Sequence, residues 1–347
     1  MQKSLLMIVA FSLSLAACAP TSAGPVELTV MTHDSFAVSE DLVQQFEEAY
    51  DINVTFLAGG DAGEALNKAI LAKEAPLADV FYGVDNTFLS RALEADIFEV
   101  YESVALADVP DAFRLDPESR ALPIDYGDVC INYDKAYFAE HNLVVPAGLE
   151  ALTNPAYKGL LVVENPATSS PGLSFVLATI QHFGEPGYLD FWDEMRENDV
   201  VVVDGWETAY YTNFSASSGN GPQPMVVSYA SSPAAEVAFA ATPLDDAPTA
   251  SILGPDACFR QIEFAGILKG THNRAAAEDF LDFMLSVEFQ EDMPLQMFVF
   301  PVNSQAVLPE LFVKYAQTVE APVILSADNI AANRDRWIEE WTEVVLR

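Results

Sequence analysis

Positive charge is scarce in this chain: 16 Lys and Arg stand against 52 Asp and Glu in 347 residues, for a formal net charge of -36. A field of that sign repels nucleic acid and anionic membrane surfaces, which excludes both as partners, and draws cations toward the protein. Histidine is nearly as rare, limited to His33, His141, His182 and His272. There is no His-Glu-x-x-His helix and no Gly-x-Ser-x-Gly elbow, so the metalloprotease and serine-hydrolase templates fail. The turn Gly60-Asp61-Ala62-Gly63 lacks the Lys and the spacing of a nucleotide-binding loop. Neither a metal nor a cofactor is expected. What the chain does hold is 51% hydrophobic and 20% charged residues, a composition that folds, at a length suited to about two domains.

Only three cysteines occur, and the first belongs to a targeting segment. Lys3, the apolar run Leu5 to Leu15 and the small residues before Cys18 predict a signal peptide over 1–17. The apolar run is too short to span a membrane as a mature helix, and no other segment reads as transmembrane. A Cys directly after such a site resembles the bacterial lipobox. This implies lipidation of Cys18, a tether over 18–25 and a periplasmic or cell-surface protein held to the membrane by acyl chains alone; a freely secreted protein is the alternative. Cys130 and Cys258 then form an even pair in an oxidising compartment, and both a disulfide and two buried thiols fit them.

Along the chain, apolar alternation predicts strands over Val26 to Met31, Ile52 to Leu57 and Ala78 to Tyr82, with intervening helices from Ser39 and over Glu64 to Lys73. Strand–helix alternation implies a parallel sheet with right-handed crossovers. The rhythm changes at Leu122 to Asp134, where two extended segments meet around Gly127. This reads as a crossing into a second lobe, and the extended run Cys258 to Leu268 as the return. The resulting expectation is an α/β protein with lobe one over 26–125 and 259–300 and lobe two over 126–258 and 301–347. The closing helix, from Ala331, carries Trp337 and Trp341 four apart, a spacing that packs both on one lobe.

Ligand chemistry concentrates between Val200 and Pro233. A β-branched run ends in Asp204-Gly205-Trp206-Glu207, with Tyr210 following, and a second strand ends in Tyr229-Ala230-Ser231-Ser232. Open α/β sheets bind ligands outside their carboxyl strand ends, where Trp206 offers either a core plug or a π-face for a cationic ring. Thr168-Ser169-Ser170-Pro171-Gly172 is an ordinary capped helix start, and its extra hydroxyls also suit an oxygen-binding turn. Asp61 either caps a helix or presents a carboxylate to an exocyclic amine. His33, Asp34, Asp85 and Asp125 lie just beyond or within strands and are further candidates.

In order along the chain, these motifs resemble the thiamine-binding periplasmic proteins, the substrate-binding subunits of thiamine ABC transporters. The resemblance rests on Thr32-His33-Asp34-Ser35-Phe36, Asp125-Tyr126-Gly127, Thr168 to Leu173, Gly205 to Tyr210, Ser228 to Pro233, Pro301-Val302-Asn303 and Trp337 to Trp341. It implies a two-lobed type II periplasmic binding protein joined by two hinge segments, each lobe a mixed, mainly parallel sheet flanked by helices. It also implies a monomer that binds thiamine or its phosphates, delivers it to a permease and its ATPase, and is not an enzyme. Implied ligand contacts are Asp61, Ala62, Ser169, Ser170, Trp206, Tyr229, Ala230, Ser231 and Ser232, with Tyr210 and Phe298 nearby. His33, Phe298 and Ala62 stand where relatives carry Tyr, Trp and Gly. Two rivals are the same fold holding ferric iron, through Tyr210 and Tyr211, or a polyamine, and a secreted hydrolase using Ser169 or Ser231.

Overall fold

The computed structural model describes residues 24–216 and 220–347; the expected signal peptide and Cys18 lie outside these. The described residues contain the strands Val26–Thr32 (β1), Ile52–Ala58 (β2), Val80–Asp85 (β3), Leu122–Asp134 (β4), Leu161–Glu164 (β5), Val201–Val203 (β6), Met225–Tyr229 (β7), Thr249–Ile252 (β8), Phe259–Ile267 (β9) and Phe300–Pro301 (β10). Their order is β2-β1-β3-β9-β4-β7-β5-β6, with β8 and β10 also on β4.

The first half of the sheet is built as strand–helix alternation dictates. β1 lies parallel to both β2 and β3, and the helices Glu40–Tyr50 and Ala62–Leu71 make the crossovers. Period-2 burial divides each strand between two cores. Leu28, Val30, Val80 and Tyr82 face one with Phe46 and Phe280, while Met31 and Phe81 face the other with Phe98. In the second half, β5 is parallel to β6 and β7 under the helix Ser170–Phe183, whose residues from Ser170 to Ile180 are all buried.

The two halves share β4. The two extended segments expected around Gly127 are one 13-residue strand. Its residues from Leu122 to Val129 pair with β9, and those from Val129 to Tyr133 pair with β7. Gly127 is not a turn residue here. A Cβ at that position would stand 2.7 Å from the Tyr229 ring, so glycine lets that ring lie against the strand. Cys130, on β4, and Cys258, just before β9, form a disulfide with Cα atoms 4.4 Å apart, which resolves the alternatives left open above. The closing helix, Ala327–Val345, buries Trp337 and Trp341. Trp341 stands edge-on to Trp192 and Trp337 Nε1 donates to Glu185. Arg334 of the same helix reaches the first half, donating to the Ser90 hydroxyl at 3.0 Å.

Candidate ligand-binding site

Strand ends from both halves meet at a cavity of about 320 Å³, near the lower limit of ~300–1,000 Å³ usual for small-molecule sites. The first half contributes His33 to Phe36 after β1 and Asp61-Ala62 after β2. The second contributes Ser170-Pro171, Trp206-Glu207, Tyr210-Tyr211, Tyr229, Ser232, Ala235 and Phe239; Glu263 of β9 and the stretch from Gln296 to Val299 also line it.

Trp206 anchors an aromatic wall. Its indole Nε1–H donates to the Ser228 hydroxyl at 2.9 Å, and that hydroxyl is 2.9 Å from the one on Ser232. Tyr210 stacks on the indole at 4.9 Å, whereas Tyr211 and Tyr229 meet it edge-on at 5.5 and 6.4 Å. Both Tyr210 and Tyr211 sit on a single π-helical turn, Thr208–Asn213, a geometry often found at functional sites. Tyr210 is anchored by its hydroxyl, which donates to Glu236 at 2.5 Å. The Tyr229 hydroxyl donates to Gln261, whose amide in turn donates to Ser170 Oγ, both at 2.7 Å. The wall is therefore fixed in orientation by side-chain hydrogen bonds on every ring but Tyr211.

Opposite it, Asp61 performs two tasks. As the cap of the helix Ala62–Leu71 it accepts from the Ala62 N–H at 2.6 Å. Its second oxygen accepts from the Trp206 N–H at 2.9 Å, joining the two halves of the protein. The Gly63 N–H adds a second cross-cleft bond to the Thr168 carbonyl at 3.0 Å. Burial pushes the Asp61 carboxyl up, opposed by those backbone donors and by His33.

Behind the cavity lies a row of acids. Cross-strand register aligns Asp85 of β3, Glu263 of β9 and Asp125 of β4. Tyr82 donates to Asp125 at 2.6 Å and to Glu263 at 3.1 Å. His33 Nε2 stands 3.4 Å from Glu263. Burial alone would lower the His33 pKa, but Glu263, with Asp61 and Asp34, holds it above the ordinary value. Burial, then the Glu263 charge, pushes Asp125 well up, whereas Glu263 is held down by His33 despite its own burial. Asp85 is pushed up to about 7, chiefly by burial. Asp125 and Asp85 are thus both held toward their protonated forms, while Glu263 is held toward its charged form against His33.

Of the residues singled out from sequence, Asp61, Ala62, Ser170, Trp206, Tyr229, Ser232, His33, Asp34, Tyr210 and Phe298 line the cavity. Five others sit behind its surface. Ser169 is the buried cap of its helix, and the Ala230 methyl packs with the disulfide. Ser231 donates to the Phe298 carbonyl at 2.5 Å, which helps hold Phe298 in a left-handed backbone conformation at φ 57°. Asp125 is spent on Tyr82, and Asp85 accepts from the Thr87 hydroxyl. Sequence reasoning missed Gln261 and Glu263. Their signal was present: Gln261 and Glu263 stand at period 2 in β9, whose other residues except Arg260 are apolar, and mark one face of a buried strand.

Two α/β halves that share β4 and β9 and enclose a ligand-sized cleft define the type II periplasmic binding protein fold. The chain belongs to the bacterial extracellular solute-binding protein family, which matches residues 75–317. It is 30% identical to the thiamine-binding periplasmic protein of Salmonella typhimurium, over 96% of this chain and 98% of that one. Among solved structures it is similar to a periplasmic thiamin binding protein, with a TM-score of 0.79 and 26% identity, covering 93% of this chain and 97% of that one. The ferric binding protein of Campylobacter jejuni shares the fold at a TM-score of 0.71 and 18% identity, over 91% and 99% of the two chains.

Proposed function

We propose that this protein captures thiamine outside the cytoplasmic membrane and delivers it to a membrane permease and its ATPase, making and breaking no bond. One observation carries the reading: the cavity sets an aromatic wall around Trp206 against the carboxylates of Asp34, Asp61, Glu207 and Glu263, with no Lys or Arg in its lining. That combination suits a flat, cationic heterocycle. A ring cation against the wall gains about 0.5–2 kcal/mol from cation–π attraction, and the carboxylates attract its charge and any exocyclic amine. The thiamine-binding relatives support the same ligand. Closure of the lobes, 26–125 with 259–300 and 126–258 with 301–347, about β4 and β9 would bury it. The expected signal peptide and Cys18 support a monomeric protein held at the membrane surface by acyl chains.

The iron reading meets a specific obstacle. Tyr210 is pushed well above the ordinary phenol range by burial and by Glu236, to which it donates, so forming the phenolate that iron requires is opposed. Hydrolysis through Ser231 fares no better, since its hydroxyl is bonded to the Phe298 carbonyl. Titration calorimetry tests the proposal. Thiamine should bind at micromolar or lower concentration and Trp206→Ala should weaken it strongly; absence of binding by the intact protein refutes it.

A further inference from the structure

We propose that the cleft sorts thiamine from its phosphate esters by charge, with Asp34 and Glu207 as the discriminating residues. This rests on the thiamine reading above and adds a selectivity to it. The two carboxylates line the cavity from opposite halves, Asp34 after β1 and Glu207 after β6. Both are exposed, and among the described residues neither side chain takes part in a hydrogen bond or ion pair. The Glu207 carboxyl is raised by burial first and then by the Asp34 charge, with His33 opposing the rise, so the pair repels across the cleft and His33 offsets only part of that repulsion.

Nothing else in the lining reverses that sign. His33 is the one basic side chain there, and it is already set against Glu263. The helix start at Ser170, where a phosphate end would seek donors, faces the carboxylate of Asp61, which approaches from the other half and is held by the Trp206 N–H. The Ser170 hydroxyl accepts from the Gln261 amide and keeps its own O–H to donate, a neutral donor that does not offset the carboxylates in the lining. A thiazolium cation entering the cleft relieves the repulsion between Asp34 and Glu207. A diphosphate, carrying at least two negative charges, adds to it. For like charges facing each other in a half-aqueous cleft, the summed penalty corresponds to roughly 10- to 100-fold in affinity, and it shrinks as salt screens the exposed pair.

The test is calorimetric titration of the intact protein and of the double variant Asp34→Asn, Glu207→Gln with thiamine, thiamine monophosphate and thiamine diphosphate, at low and at physiological ionic strength. The expected result is affinity falling in that order for the native protein. In the double variant the gap between thiamine and the diphosphate closes by about tenfold or more, partly through gained diphosphate affinity. Equal affinities in the native protein, or an unchanged preference in the variant that still binds thiamine tightly, overturn the sorting alone. No binding of thiamine by the native protein overturns the underlying function and the sorting with it.

Discussion

Replacing Asp61 by Asn separates the two tasks that its carboxylate performs at once. The oxygen that caps the helix Ala62–Leu71, accepting from the Ala62 N–H at 2.6 Å, is retained in the amide. The oxygen that accepts from the Trp206 N–H across the cleft at 2.9 Å becomes an NH₂ group, so that donor faces donor. A hydrogen bond to a charged acceptor contributes about 1.5–3 kcal/mol. This one exists only when the halves are together, so its loss falls on ligand affinity rather than on folding. The expected weakening is roughly 10- to 150-fold by calorimetry, with thermal stability of the ligand-free protein near that of the wild type. Asp61→Ala should weaken binding comparably and also lose the cap, at about 1 kcal/mol, which lowers the ligand-free Tm by about 2 °C. Native thiamine affinity in Asp61→Asn would refute the reasoning, because the Trp206 bond would then be irrelevant to closure.

Gly63 offers an independent check on closure. A Cβ there would stand 2.7 Å from the Thr168 carbonyl oxygen, while Ala favours a helix over Gly by up to about 1 kcal/mol; Gly63→Ala should therefore keep or raise ligand-free stability yet weaken thiamine binding, read by thermal melts and calorimetry. Asp85 makes stability depend on pH. Its folded value of about 7 lies above the ordinary 3.8, so the folded protein binds the proton more tightly, and stability present at low pH is lost as pH rises from about 4 to 7. Asp85→Asn removes that dependence, and its urea midpoint relative to wild type should rise between about pH 5 and pH 8 by an amount equivalent to ~2–3 kcal/mol; a parallel pair of curves would contradict the assignment. Reduction of Cys130–Cys258, separated by 128 residues, should lower stability by up to about 5 kcal/mol on chain-entropy grounds, measured by urea denaturation with and without reductant.

Periodicity made much of this fold readable. The predicted strands Val26 to Met31 and Ile52 to Leu57 fall one residue short of β1 and β2, and Cys258 to Leu268 brackets β9. Those segments repeat a simple pattern against a uniform core, so local chemistry and tertiary structure agree. Where they part, a distant residue decides. Gly127 looked like a break because nothing nearby in sequence announces the Tyr229 ring that occupies its side-chain space. Gly83 to Asp85, beyond the strand end expected at Tyr82, continues β3 because β9 pairs with Val84 and Asp85. At the site, the residues carried by distinctive types in turns, Asp61, Trp206 and Tyr229, were visible in the sequence. Gln261 and Glu263 were not, since a polar residue in a buried strand declares its partner only once the neighbouring strands are known. Ser169 and Ser231 carry the same hydroxyl as Ser170 and Ser232, and only the backbone direction at each helix start separates those that line the cavity from those behind it.

The placement of β9 between β3 and β4 also sets an order of events in folding. The Tyr82 hydroxyl bonds to Glu263, a residue 181 positions further along the chain, and the centre of the sheet cannot close until that distant strand arrives. Because each long loop must be closed before its contacts reward it, a chain of this topology gathers its structure slowly. Its first three strands can pair early, but the β3 edge stays open until β9, at 259–267 of 347 residues, is present. The same inserted strand that carries Glu263 to the floor of the cleft is thus a kinetic latch, keeping the protein unfinished until its last third is available.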